Sequence, residues 1–208
     1  MEVIVTHFKP FFLGMLICIA GYVLFYIMIA FSQIYAKSAP TVSEAGYAMG
    51  LGFSPQIFTA LLMCSAISLA ITIAISGKYI DIVGRRIWLI WTTFGVAIFG
   101  LALPYFLDNG TTTSLFWFLI IGMGLIGMGY GPLASLLPEL FPTHARYSGA
   151  SLTYNISGLF GASVAAIIAL PLNANYGLKG VGIYLTLNAV LSLIGLWFIT
   201  ETRDRQLL

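Results

Sequence analysis

The sequence predicts an all-α membrane protein of six transmembrane helices packed as a single bundle over residues 1–208, and three observations carry that prediction. Hydrophobic residues make up 60% of the chain and charged residues 8%, with a mean hydropathy of +0.99. A soluble domain carries roughly 25% charged residues, so that class is excluded. The charges also leave six long charge-free intervals, 10–36, 45–77, 87–107, 109–138, 147–178 and 180–200, of 27, 33, 21, 30, 32 and 21 residues. A crossing helix needs about 20 apolar residues, so each interval holds one crossing and none comfortably holds two. Finally, the intervals are continuously apolar. Phe11-Phe12-Leu13-Gly14-Met15-Leu16-Ile17 does not alternate as a membrane β-strand would. The first interval also far exceeds the roughly 7 to 15 apolar residues of a signal peptide, so it is read as a retained helix.

Taken in order, helix one near 11–31 carries Cys18 and a run of polar side chains, Tyr22, Tyr26 and Gln33. At 100° per residue these three lie within about 40° of one another on one face. Helix two near 56–76 holds Cys64. Inside a membrane helix Cys acts as a small apolar residue, so neither a disulfide nor a metal site is expected, and no cofactor. Helix three near 87–107 opens on Trp88 and Trp91. Helix four near 114–138 contains Gly122, Gly124, Gly127, Gly129 and Gly131 followed by Pro132, a pattern for close helix approach and a kink. In helix five, near 149–171, Gly149, Thr153, Ser157, Gly161, Ala165 and Ala169 make a stripe of small residues at i, i+4 spacing, against which a neighbour can pack closely. Helix six near 180–200 ends at Trp197, and with Trp117 all four tryptophans fall near helix ends, where an aromatic belt belongs.

Orientation follows from the basic residues. Lys9, Lys78, Arg85, Arg86, Arg146, Arg203 and Arg205 fall on one side and only Lys37 and Lys179 on the other, which puts both termini in the cytoplasm of a cell-membrane protein. The interval lengths run long, long, short twice over. Three crossings per unit would invert the second unit, the inverted-repeat layout of transporter halves, with the third and sixth helices peripheral. The net charge of +2 includes no basic cluster dense enough for nucleic acid.

Two loops on the basic side carry motifs. Gly77-Lys78-Tyr79-Ile80-Asp81-Ile82-Val83-Gly84-Arg85-Arg86 is read as a tight reversal in which Gly77 and Gly84 supply backbone freedom. Asp81 is placed to accept hydrogen bonds from helix-start amides, and Arg85 and Arg86 to sit at headgroup level. Pro138-Glu139-Leu140-Phe141-Pro142-Thr143-His144-Ala145-Arg146-Tyr147-Ser148-Gly149 joins helices four and five. There Glu139 and Arg146 can pair with each other or with the Asp81 and Arg85 loop, an exposed latch worth about 0–1 kcal/mol per pair.

G-x-x-x-D-x-x-G-R-R between two helices resembles the signature loop of the major facilitator superfamily, and E-L-F-P-x-x-x-R-x-x-G resembles the loop between its tenth and eleventh helices. The wording Arg146-Tyr147-Ser148-Gly149-Ala150-Ser151, with Tyr154-Asn155 after it and the tail Glu201-Thr202-Arg203-Asp204-Arg205, is most similar to the metabolite:proton symporter family. Sugar porters share Glu139, Phe141, Pro142, Arg146 and Gly149. Ile80 stands where the family usually has Gly or Ser, and Ile82 where a basic residue is frequent. The resemblance implies the C-terminal six-helix half of a twelve-helix transporter for small organic acids or osmolytes, working by alternating access with proton coupling. It also implies a gating role for Gly77, Asp81, Gly84, Arg85, Arg86, Glu139 and Arg146.

Met1 lies ten residues before the first span, so the chain is expected to lack the other six helices and to need a partner, a separate N-terminal half or a second copy, besides the lipid bilayer and its solute. No ionisable residue lies inside a predicted span, where one would mark a proton relay. The candidates for touching a solute are Tyr22, Tyr26, Gln33, Tyr130, Ser151 and Asn155. Two other classes compete with transport: a non-transporting membrane protein, and an intramembrane serine protease built on His144 and Ser148. The protease is disfavoured because both residues sit at the surface and the G-x-S-x-G setting is absent.

Overall fold

The computed structural model describes residues 6–199. Those residues form an all-helical bundle without a strand, apart from an isolated bridge between Val42 and Ala48. Glu201, Arg203 and Arg205 of the predicted tail, and the last residue of the predicted sixth span, lie outside the described residues. Five helical segments are long and apolar enough to cross a membrane. They are α1 (Phe8–Lys37), α2 (Pro55–Val83), α3 (Arg85–Leu107), α4 (Thr112–Glu139) and α5 (Arg146–Phe198).

At 53 residues α5 would measure about 80 Å if straight, against a hydrocarbon core of about 30 Å. It is not straight. Gly177 has φ 68° and ψ −170°, a backbone region open almost only to glycine, and the chain turns back there. The contacts on either side give the two directions. On the first arm, Ser157 donates to the Met15 carbonyl (3.3 Å) and Ala166 accepts from Tyr26 (3.4 Å), so that arm runs parallel to α1. On the second arm, Ser192 Oγ donates to the Leu16 carbonyl at 2.6 Å and accepts from Ala20 N at 3.1 Å, while Gly195 lies against Leu13. That arm is antiparallel to α1.

Close packing rests on small residues, as the sequence predicts. Gly149, Thr153, Ser157, Gly161, Ala165 and Ala169 are all buried, and a Cβ at Gly161 would stand 3.2 Å from the Ile19 carbonyl and 2.6 Å from Tyr22 Cβ. Thr153 and Gly161 of the stripe are covered by α1 of the same chain, and Gly149 by Phe141. On α4 Gly124, Gly127 and Gly131 face α2: a Cβ at Gly131 would meet Ser76 Oγ at 2.5 Å, and Ser68 Oγ donates to the Ile120 carbonyl at 3.0 Å. Gly100 of α3 and Gly182 of the second α5 arm touch backbone to backbone, with Thr186 Oγ1 donating to the Ala97 carbonyl at 3.1 Å. The predicted third and sixth helices thus pack on each other.

Helix boundaries differ from expectation at the first motif. Helix α2 runs through Gly77 to Val83, because Tyr79, Ile80, Ile82 and Val83 continue its apolar surface. A Cβ at Gly77 would meet nothing within 4 Å. Gly77 is therefore helical, and the predicted ten-residue reversal shrinks to one joint, Gly84, at φ 100° and ψ 144°. Two π turns interrupt the regular helices, at Ile27–Phe31 in α1 and Leu159–Ser163 in α5. The remaining long connection, residues 38–54, folds over the Gly177 bend. Ser43 Oγ donates to the Ala174 carbonyl (2.7 Å), Asn173 Nδ2 donates to the Ala48 carbonyl (3.1 Å), and the Tyr47 ring covers Gly177.

Candidate functional site

Helices α1, α3, α4 and the first arm of α5 line a cleft of about 860 Å³ that reaches the second motif at Pro138, Thr143 and Arg146. Helix α1 contributes Cys18, Tyr22 and Phe25, α3 contributes Thr92 and Thr93, α4 contributes Tyr130 and Leu133, and α5 contributes Arg146, Ala150, Ser151 and Tyr154. Arg146, Ala150 and Tyr154 stand one above another at i, i+4 spacing on α5, so the guanidinium marks the mouth and Tyr154 lies about 12 Å deeper along the axis.

Three phenols meet at that depth. The Tyr130 and Tyr154 hydroxyls are 2.9 Å apart, and the Tyr22 and Tyr154 rings have centroids 5.0 Å apart at 52°. Gly158 makes room for Tyr22: a Cβ there would come within 3.1 Å of its ring. The helix-five glycines therefore position an aromatic cluster as well as a helix contact. Tyr22, Tyr130 and Ser151 thus come together in the cleft, as a single group of sequence candidates.

The other candidates lie elsewhere. Asn155 is beside the cleft rather than on its lining and bonds to its own helix, donating to the Ser151 carbonyl at 2.8 Å. Tyr26 donates across to α5 at Ala166. Gln33 is exposed and away from the cleft, because the π turn at Ile27–Phe31 inserts a residue and rotates the last turns of α1 by about 100° relative to Tyr22. Tyr154 and the two threonines were not singled out by sequence reasoning. The available signal was the i+3 and i+8 spacing of Tyr154 from Ser151 and Arg146.

At the rim of the same end, Arg85 pairs with Asp81 (3.2 Å) and with Glu139 (3.5 Å). The two motif loops are thereby joined through one guanidinium. Asp81 is 70% exposed while Glu139 is 14% and Arg85 17% exposed, so the Glu139 contact is the less screened of the two. Asp81 stands in the last turn of α2, not at a helix start. A carboxylate there opposes the helix dipole, and Arg85 offsets it. Arg86 turns the other way and donates to the carbonyls of Leu196 (2.9 Å) and Trp197 (3.1 Å), closing the C-terminal end of α5. Arg146 has its Nε buried with no hydrogen-bond partner. His144 and Ser148 form no catalytic pair: the His144 ring lies against His7, with centroids 5.9 Å apart, and Ser148 is exposed.

The family model for sugar (and other) transporters matches residues 39–208. The chain belongs to this major facilitator superfamily of membrane transporters. A provisionally named metabolite transport protein of Haemophilus influenzae is 89% identical over the whole chain, which covers 46% of that protein. The inner membrane metabolite transport protein YhjE of Escherichia coli is 39% identical, across 97% of this chain and 44% of its own length. A transporter of Dickeya dadantii named for glycine betaine, proline, ectoine and pipecolic acid is 26% identical over 99% of this chain and 39% of its own. The chain thus spans slightly under half the length of these superfamily relatives. They are transport proteins, and this superfamily member is no enzyme. No solved structure gives a significant match.

Proposed function

We propose that the chain is the C-terminal six-helix half of a proton-coupled symporter for a small organic acid or osmolyte. It crosses the membrane six times with both termini in the cytoplasm. The observation that carries the reading is the cleft, together with the ion pairs that join the ends of α2, α3 and α4 through Arg85.

A solute path in an alternating-access transporter runs between two bundles that rock about a site near the midplane, so one bundle supplies one wall. Here that wall comprises α1, α4 and the first arm of α5, with Tyr22, Tyr130, Ser151 and Tyr154 facing the solute and Asn155 and Tyr26 beside them. Arg85, Asp81 and Glu139 form the latch that closes the cytoplasmic end, aided by Gly84 as the joint. Gly77 keeps the α2 surface flat there, and Arg86 holds the end of the last helix. Ion pairs near a surface are worth about 0–1 kcal/mol each, which suits contacts that must break on every cycle. Turning α5 at Gly177 into two crossings makes the count of six. The chain covers slightly under half of its relatives' length, which favours a complementary six-helix bundle as partner, in preference to a second copy whose facing surface would be identical.

Reconstitution in liposomes with an imposed proton gradient tests this. The chain alone is expected to take up no labelled organic acid, betaine or sugar, and the chain with a complementary N-terminal half is expected to take up at least one of them. Robust uptake by the chain alone would contradict the half-transporter reading.

A further inference from the structure

The chemistry of the cleft is more specific than its volume. Its walls are apolar around Leu24, Leu89, Val96 and Leu133. Its polar groups are largely engaged with the protein: Tyr130 with Tyr154, Thr92 Oγ1 donating to the Trp88 carbonyl at 3.0 Å, and Ser151 Oγ accepting from Asn155 at 3.4 Å. Among the residues lining the cleft, Arg146 alone carries a charge, and its Nε is buried without a hydrogen-bond partner.

Resting on the reading of this cleft as a solute site, we propose that it takes a monocarboxylate with an apolar body, of the aryl- or branched-alkyl-carboxylate type. The carboxylate sits on Arg146 and the body extends inward along the apolar walls toward Tyr22 and Tyr154. A guanidinium presents paired N–H donors to a carboxylate, and a partly buried charge-assisted contact is about twice as strong as a neutral one. The apolar walls reward a body that sheds its water.

Two other solute types fit worse. A polyol would lose hydration at many hydroxyls and find few unengaged partners, each such loss costing about 1–3 kcal/mol. A small zwitterion such as glycine betaine carries its cation one carbon from its carboxylate. With the carboxylate on Arg146 that cation would lie beside the same guanidinium, and the lining offers it no carboxylate.

The test is equilibrium binding of radiolabelled 3-phenylpropionate to the full chain in nanodiscs, with no transport required. Saturable binding is expected, displaced by unlabelled benzoate and not by glucose or glycine betaine. Arg146→Gln should weaken it at least tenfold and Arg146→Lys only a few-fold. The uncharged isostere 3-phenylpropanamide should bind wild type and Arg146→Gln equally. Ala134→Trp, which fills the cleft from α4, should abolish binding of both compounds. Displacement by glucose or glycine betaine, binding by Arg146→Gln equal to wild type, or no saturable binding would each overturn the proposal. Binding as described, without uptake when both halves are reconstituted, would support this ligand class and remove the transport reading. Polyol uptake without arylcarboxylate binding would do the reverse.

Discussion

The two ends of the bundle are held by different physics. At the end with the motif loops, α2 and α3 meet at a single glycine, Gly84, and the neighbouring elements are tied by Arg85 to Asp81 and Glu139. At the other end, residues 38–54 are laid over the Gly177 bend by hydrogen bonds to Ala174 and from Asn173, with the Tyr47 ring packed on the glycine itself. Asp108 and Lys179 also lie at that end, where burial pushes the Asp108 carboxyl above its ordinary range and Lys179 pulls it back down. Ion pairs exchange readily for water and salt, whereas part-buried hydrogen bonds to backbone acceptors and a ring on a glycine depend less on salt. On the proposed transport reading, motion belongs to the charged end and mechanical closure to the strapped end.

The largest effect is expected at the strap. Gly177→Ala combines a backbone region that an L side chain rarely adopts with a Cβ 2.6 Å from Tyr47, and should lower stability by about 3 kcal/mol. Removing the ring as well, in Gly177→Ala with Tyr47→Ala, should relieve the clash and leave the backbone cost. Unfolding midpoints in detergent micelles would measure both. Full rescue by Tyr47→Ala would mean that the bend imposes no strain of its own.

A smaller effect is expected at the charged end, and it should be unequal between the two carboxylates. Glu139→Gln should cost about 1 kcal/mol, and Asp81→Asn about half that or less, because Asp81 is mostly in water. Double-mutant cycles with Arg85→Gln should give a larger coupling to position 139 than to position 81, and both couplings should shrink in 1 M salt, where screening is about 3 Å. Equal couplings that ignore salt would erase the contrast between the ends.

Much of the bundle is legible in the sequence. The long apolar helices follow from the charge-free intervals, and the helix-five stripe is buried residue for residue even though the π turn at Leu159–Ser163 lies within it. Legibility failed at other points. Gln33 left the face of Tyr22 because a π turn lies between them. Gly77 looked like a turn residue, but the apolar residues after it had more to gain by extending α2. The break at Gly177 falls where the sequence predicts one, between the spans 149–171 and 180–200, in a stretch marked by Asn173, Asn175 and Lys179. In the cleft, Tyr154 stands out in the sequence only as part of a motif, since its partnership with Tyr130 and Tyr22 depends on how three helices converge. The Glu139 and Arg146 pairing was open in the sequence. The structure joins Glu139 to Arg85 and sets Arg146 on the cleft, which no spacing along one loop could decide.

The assignment of motion to one end depends on that end facing the cytoplasm, and its sidedness can be measured directly. With Cys18 and Cys64 replaced by alanine, single cysteines at Asp81 and Asn109 sample the two ends, both at exposed positions. Intact cells treated with a membrane-impermeant maleimide should label Asn109→Cys and leave Asp81→Cys unlabelled until the membrane is opened. Labelling of Asp81→Cys but not Asn109→Cys in intact cells would contradict the account.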